Sequence, residues 1–276
     1  MSRNNWTDDN LFFRLVNNKS GGTYWDNIGI LRNRATREVF DKAIALTFSD
    51  DAKARDVGVD VLAQLGSAPR PFYRESNRRF FELLEVEQDR KVLSSVLSAI
   101  GHNNDRLSRI QINRLCRFAE SRDTSIKKGV VFALLGIKNQ IAIDTLIKLS
   151  TDRIDYIRDW ATFGLGNLTL KFNNKIRAAL WARVNDKDQN TRYEAISGLA
   201  SHKDLRVKEI IMRELLSGTY GNLLFDAIIE DGDMAYLPIL KQQYKEDSRD
   251  ANVKPEWLKD LKNCISELSK KLKPTK

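Results

Sequence analysis

The chain has 276 residues, of which 42% are hydrophobic and 30% charged, with only 5 Pro and 14 Gly; 46 Lys and Arg against 37 Asp and Glu give a net charge of +9. This balance excludes disordered, collagen-like and low-complexity architectures and describes a folded, helix-rich protein. The longest uncharged apolar stretch, Gly129 to Ile137, is far short of the roughly 18 residues that a membrane span needs, and the start MSRNNWTDDN is polar and acidic. Two widely separated cysteines, Cys116 and Cys264, form neither a disulfide framework nor a zinc site, so the expectation is a cytoplasmic protein without cofactor or metal. The positive excess is spread thinly, at +3 over residues 1–120, +2 over 121–250 and +4 over 251–276.

In chain order, residues 1–30 are expected to form an N-terminal cap, and the chain then settles into a repeat. The unit is a helix A, an acidic turn and a helix B. Helix A is predicted at 36–48, 105–121, 139–150, 174–184 and 204–216, each with apolar residues at i, i+3, i+4 and i+7. Helix B is clearest in DRIDYIRDWATFGLG (152–166) and DKDQNTRYEAISGLA (186–200), with a third copy at 122–135. Looser copies end at Leu65 and Ile100, and a degenerate one has Asp231 in the last anchor position. The anchors 65, 100, 134, 165, 199 and 231 are separated by 35, 34, 31, 34 and 32 residues. A period this even is the mark of a repeat array. Asp50, Thr124, Asp155, Asn190 and Asp204 stand where helix N-caps are expected. Proline is absent from 72 to 237, and no strand pattern appears. A last helix is predicted from Pro255 to Leu272, within a C-terminal capping helix and basic tail spanning 251–276.

The helix B pattern resembles the HEAT repeats of the short bacterial variety, best at Ile157, Arg158, Ala161, Leu165 and Gly166, well at Arg192, Ala195 and Leu199, and over about residues 24 to 245. More narrowly, IRDWATFGLG, ISGLASHKDLRV and AYLPIL are similar to a group of bacterial HEAT-repeat proteins that includes immunity proteins of Rhs-type toxins. The resemblance implies an all-α fold, an α-α superhelix (solenoid) of about six HEAT-like hairpins over 31–250. It also implies a ladder of side-chain bonds, with Lys127, Arg158 and Arg192 beside Asp123, Asp155 and Asp188. A competing reading lines the three cations up as an anion track; a local carboxylate for each cation favours the ladder.

Positions just after the recurrent basic residue are not needed for packing and are expected on the concave face. There Tyr156, Asp159, Trp160, Phe163, Tyr193 and Glu194 combine aromatics with charge, the composition of a protein-binding hot spot. The competing reading is that Trp160 and Phe163 pack between repeats. His102 and His202 follow helix B and read as turn residues; no phosphate loop, nucleophile motif or metal-ligand spacing appears. The expected function is therefore non-enzymatic: a cytoplasmic scaffold that captures another protein, for which the narrower resemblance implies a toxin domain. The alternative is a nucleic-acid-binding protein akin to HEAT-like glycosylases of alkylated bases, on the cues Trp25-Asp26 and Asp159-Trp160. Against it, the arginine clusters Arg32/Arg34/Arg37, Arg70/Arg74/Arg78/Arg79 and Arg106/Arg109/Arg114/Arg117 fall mainly in loops and A helices.

Overall fold

The computed structural model describes residues 3–168 and 172–271. Among them are sixteen α-helices, three short 3-10 helices and no strand. No helix is long and apolar enough to cross a membrane. Cα packing groups the chain into two compact units, 1–145 and 146–276.

The first unit contains α1 (Asp8–Asn17), α2 (Gly21–Asn33), α3 (Arg37–Leu46), α4 (Ala52–Gln64), α5 (Tyr73–Val86), α6 (Arg90–Gly101), α7 (Arg109–Arg117) and α8 (Thr124–Leu134); α9 (Gln140–Leu149) spans the division. Each odd helix up to α7 packs on the even helix that follows it, and α2, α4, α6 and α8 pack on one another in succession. Within the expected 1–30 cap, α1 and α2 thus form a hairpin of the same kind, in which the Tyr24 hydroxyl donates to Asp60 of α4 at 2.7 Å. The sequence hid it because Gly21, Gly22 and Gly29 dilute the helical signal of α2.

The second unit contains α10 (Asp155–Asn167), α11 (Asn174–Trp181), α12 (Gln189–Ser201), α13 (Val207–Leu216), α14 (Leu223–Asp231), α15 (Leu237–Asp247) and α16 (Pro255–Lys270). Here α10, α12, α14 and α16 form the successive row, with α11, α13 and α15 against it. Helix α16 matches the predicted C-terminal helix, while Leu272 and the rest of the basic tail lie outside the described residues.

Apolar spacing fixes this layering. Ile157, Ala161 and Leu165 on α10 are fully buried, as are Ala195 and Leu199 on α12, and the A helices answer with Ile176 and Leu180 on α11 and Ile211 and Leu215 on α13. Each such Leu or Ile contributes about 1.5–3 kcal/mol by leaving water. The small residues let α10 and α12 approach until a Cβ on Gly198 would stand 2.5 Å from the Gly166 Cα.

The structure corrects the register of the first copy. Leu62, not Leu65, takes the place in α4 that Leu165 takes in α10, since Leu65 is already the C-cap. Cap positions also shift. Asp51, Asp123 and Asp188 cap α4, α8 and α12 with their side chains, one or two residues before the predicted Asp50 (for α4, one after), Thr124 and Asn190. Asp155 lies inside α10. Asp204 is not the N-cap of α13, a place Arg206 takes; its carboxyl accepts from the Arg206 guanidinium and amide and from the Trp181 indole, and these bonds, the Arg206 side chain foremost, hold it well below the usual range.

Candidate functional site

The predicted ladder exists in altered form. Arg158, 4% exposed, donates from Nε and Nη2 to both Asp186 oxygens at 3.1 and 2.7 Å, from Nη2 to Asp155 at 2.7 Å and from Nη1 to the Asp152 carbonyl at 2.9 Å. Arg192 does not pair with Asp188; it donates to Glu214 at 3.2 Å and to the Asp186 carbonyl at 2.9 Å. Asp188 is occupied as a cap by the Thr191 amide and hydroxyl. Asp123 likewise caps α8 through the Ser125 and Ile126 amides, with Arg90 at 3.7 Å. The rung is therefore built by a cation reaching forward to a carboxylate beyond its own turn. Arg55 repeats the Arg158 geometry in the first unit, donating to both Glu87 oxygens at 2.7 and 2.8 Å and to the Ser49 carbonyl. Sequence analysis passed over it because the first copy was read out of register. Arg158 and Arg192, committed to these carboxylates and carbonyls, are not left as an anion track.

The exposed side of the row α10, α12 and α14 carries the rest. Tyr156 is 39% exposed, and Trp160 and Phe163 are half-buried. Trp160 is flanked by the Tyr156 ring at 6.1 Å and by Phe163 edge-on at 5.6 Å, one turn apart along α10. Next to them a cleft of about 520 Å³ is lined by Phe163, Asn167, Glu194, Ser197, Leu223 and Asp226, among others. Tyr193 departs from expectation: it is 1% exposed, its hydroxyl accepts from Gln189, and it serves packing instead of surface recognition. Of the residues not chosen from the sequence, Asn167 and Ser197 lie one turn from Phe163 and Glu194, where helical spacing alone points, while Leu223 comes from α14, a separate helix.

The electrostatics of this face are unusual for a chain of +9. Burial pushes the Asp159 carboxyl up to about 6, with the Asp188 charge adding to it. Burial pushes Glu194 up to about 7, helped by Asp159 and Asp226 and opposed by the Asn167 amide, which donates to it at 2.9 Å. Asp226 is raised by burial, then by Glu230 and Asp260. Among the described residues no cation pairs with Asp159, Glu194 or Asp226, and Asp159 Oδ1 is buried without a hydrogen-bond partner. Two half-buried carboxylates and the exposed Asp226, all three raised by burial, stand beside three aromatic rings and form a surface that gains when a positive group enters.

One consequence is testable without any partner. An acid whose folded value stands above its unfolded one is held more stably when protonated, so Glu194 favours the fold below about pH 4.5 and loses that contribution as pH rises through about 7. Glu194→Gln should therefore match the parent in thermal unfolding near pH 4.5 and be more stable than it above pH 7. A difference constant with pH would contradict the assignment.

The histidines sit at helix ends: His102 and His202 follow α6 and α12, and His202 Nε2 lies 3.1 Å from the Gly166 carbonyl with its ring stacked on Phe172. Among the described residues, no group of three or more His, Cys, Asp or Glu could hold a metal ion. Trp25 and Asp26 lie on α2, where Asp26 is held by Arg3 at 2.6 Å.

The geometry is that of an all-helical protein built from helices packed in pairs within each unit. No family model matches the chain. Over 253 residues it is 25% identical to Protein YibA of Escherichia coli strain K12, covering 88% of both chains, and equally similar to Protein YibA of Escherichia coli O157:H7. The X-ray structure of the Escherichia coli YibA protein superposes with a TM-score of 0.70 at 22% identity, covering 96% of this chain and 93% of that one, so the fold is shared.

Proposed function

We propose that the chain is a non-enzymatic α-solenoid of HEAT-like hairpins that captures another protein, and that the exposed face of α10, α12 and α14 receives a basic segment of that partner. The observation that carries this reading is the set Asp159, Glu194 and Asp226, left without cations beside Tyr156, Trp160 and Phe163. Aromatic anchors ringed by charge are where binding energy concentrates. An arriving Lys or Arg would restore the ionised state of carboxylates that burial disfavours, and its aliphatic stem would lie on the rings.

In the immunity-type version of this reading, the partner is a toxin domain that acts on nucleic acid. Such a domain carries a basic active face, and an acidic inhibitor surface complements it even when the inhibitor as a whole is cationic. The nucleic-acid alternative gains no support at this face, since a phosphate backbone would meet carboxylates where it needs Lys and Arg. Its other cue, Trp25-Asp26, has its acid engaged by Arg3.

The test is Trp160→Ala, assayed by capture from the native cell extract and then by titration of the captured protein. Loss of about 2 kcal/mol, roughly thirtyfold in Kd, is expected with the helical fold retained. An unchanged Kd would remove this face from the account.

A further inference from the structure

A groove of different character lies on the other layer of the first unit. Helices α5 and α7, with the loop before α7, enclose about 670 Å³. Its floor includes Phe81 and Asn77, each 5% exposed, and Tyr73 at one end. Burial raises the Tyr73 hydroxyl above its ordinary value, so it stays a neutral donor. Four arginines line the rim: Arg74, Arg78, Arg106 and Arg114. Two are matched by acids in the same groove, Arg114 by Glu85 at 3.6 Å and Arg78 by Glu82 at 4.0 Å. Arg74 and Arg106 have no ion-pair partner among the described residues, and the Arg106 guanidinium stands 5.8 Å from the Tyr73 ring centre. At the far end Val86 is 65% exposed. The groove therefore grades from a cationic, aromatic end at Tyr73, Arg74 and Arg106 to an apolar, charge-matched end at Phe81 and Val86.

We propose that this groove is a second binding site, carried by elements separate from the α10–α14 face, for an acidic amphipathic peptide segment of a partner protein. Carboxylates of that segment seat against Arg74 and Arg106, and its apolar side chains lie over Phe81 and Val86. Charge complementarity selects the acidic end of the occupant, since only there are cations unpaired. The apolar floor selects a peptide over a nucleic acid: a phosphate backbone would have nothing to bury on Phe81 and Val86 and would run onto Glu82 and Glu85.

The experiment uses the full chain and a fluorescein-labelled peptide of about fourteen residues with Glu and Leu at helical spacing, read by fluorescence anisotropy, with a Lys-for-Glu peptide and a single-stranded oligothymidine of about twelve nucleotides as competitors. Binding of the Glu–Leu peptide is expected, weakened at least about tenfold by the double change R74E and R106E and by Val86→Asp, but unmoved by Trp160→Ala. These substituted side chains are exposed or lie on the groove rim, so far-UV circular dichroism should be unchanged. Absence of peptide binding, equal affinity in the variants, or displacement by oligothymidine at lower concentration than by unlabelled peptide would each overturn the proposal, the last by assigning the groove to nucleic acid.

Discussion

Arg158→Met should cost about 3–5 kcal/mol of folding stability, the figure expected when one partner of a buried, fully bonded ion pair is removed. The reason is not the lost arginine but the acid left behind. Asp186 has a side chain only 5% exposed, and Arg158 supplies two of its bonds; Arg183 at 3.1 Å and the Asp188 amide are what remain. The Asp152 carbonyl loses a donor as well. Because Arg158 joins the turn before α10 to the loop before α12, its loss releases both. Lysine should rescue poorly, since a point charge cannot serve both Asp186 oxygens, Asp155 and a carbonyl at once. Urea unfolding of Arg158→Met and Arg158→Lys measures this, and a loss under about 1 kcal/mol, typical of exposed pairs, would show the rung to be ornamental to stability.

Gly198→Ala comes next in size. A Cβ at this position would stand 2.5 Å from the Gly166 Cα and 3.1 Å from Leu180 Cδ1, and the first of these neighbours is backbone. A side chain can rotate away; a Cα can move only with its helix. Separating α10 and α12 loosens packing along both, so the cost should fall at the upper end of the ~1–3 kcal/mol of overpacked cores, although alanine is otherwise the better helix former. Gly166→Ala, at 2.8 Å from the Gly198 Cα, should behave alike. The two changes together should be less than additive, because either one already opens the crossing. Thermal unfolding of the three variants decides it, and an Ala variant more stable than the parent would mean that the helices do not meet there.

The two glycines also show what could be read in advance. Leu165-Gly166 near the end of α10 and Gly198-Leu199 near the end of α12 are visible in the sequence, and so is the period that places them, which is why helices α3, α7, α9, α11 and α13 fall within a few residues of their predicted spans. Periodicity reports the face that is buried, and it does so without knowing the partner. The rungs were less legible. Asp123 and Asp188 were assigned to neighbouring cations, but an Asp at the start of a helix has the free amides of its own first turn closer at hand. The acids that do complete the rungs, Asp186, Glu214 and Glu87, are 22 to 32 residues from their arginines, a distance local spacing cannot convey.

The candidate face divides in the same way. Tyr156, Asp159, Trp160 and Phe163 share one side of α10 and were found by helical spacing; Tyr193 and Glu194 both border the cleft, yet the 100° between them leaves the tyrosine 1% exposed and the glutamate half-buried. That the carboxylates would be unpaired was not legible, since the sequence offers 46 cations and does not say where they are committed.

The central claim is that unpaired carboxylates on the α10–α12–α14 face hold a basic protein. It is tested most directly by immobilising the chain and its Asp159→Asn, Glu194→Gln, Asp226→Asn triple variant and comparing what each retains from the native cell extract at about pH 8 and about pH 5.5. The account predicts a basic protein held by the parent, released at the lower pH as Glu194 and Asp159 take up protons and reduced at least about tenfold on the triple variant at pH 8. Equal retention by both proteins, or nucleic acid as the retained species, would contradict it.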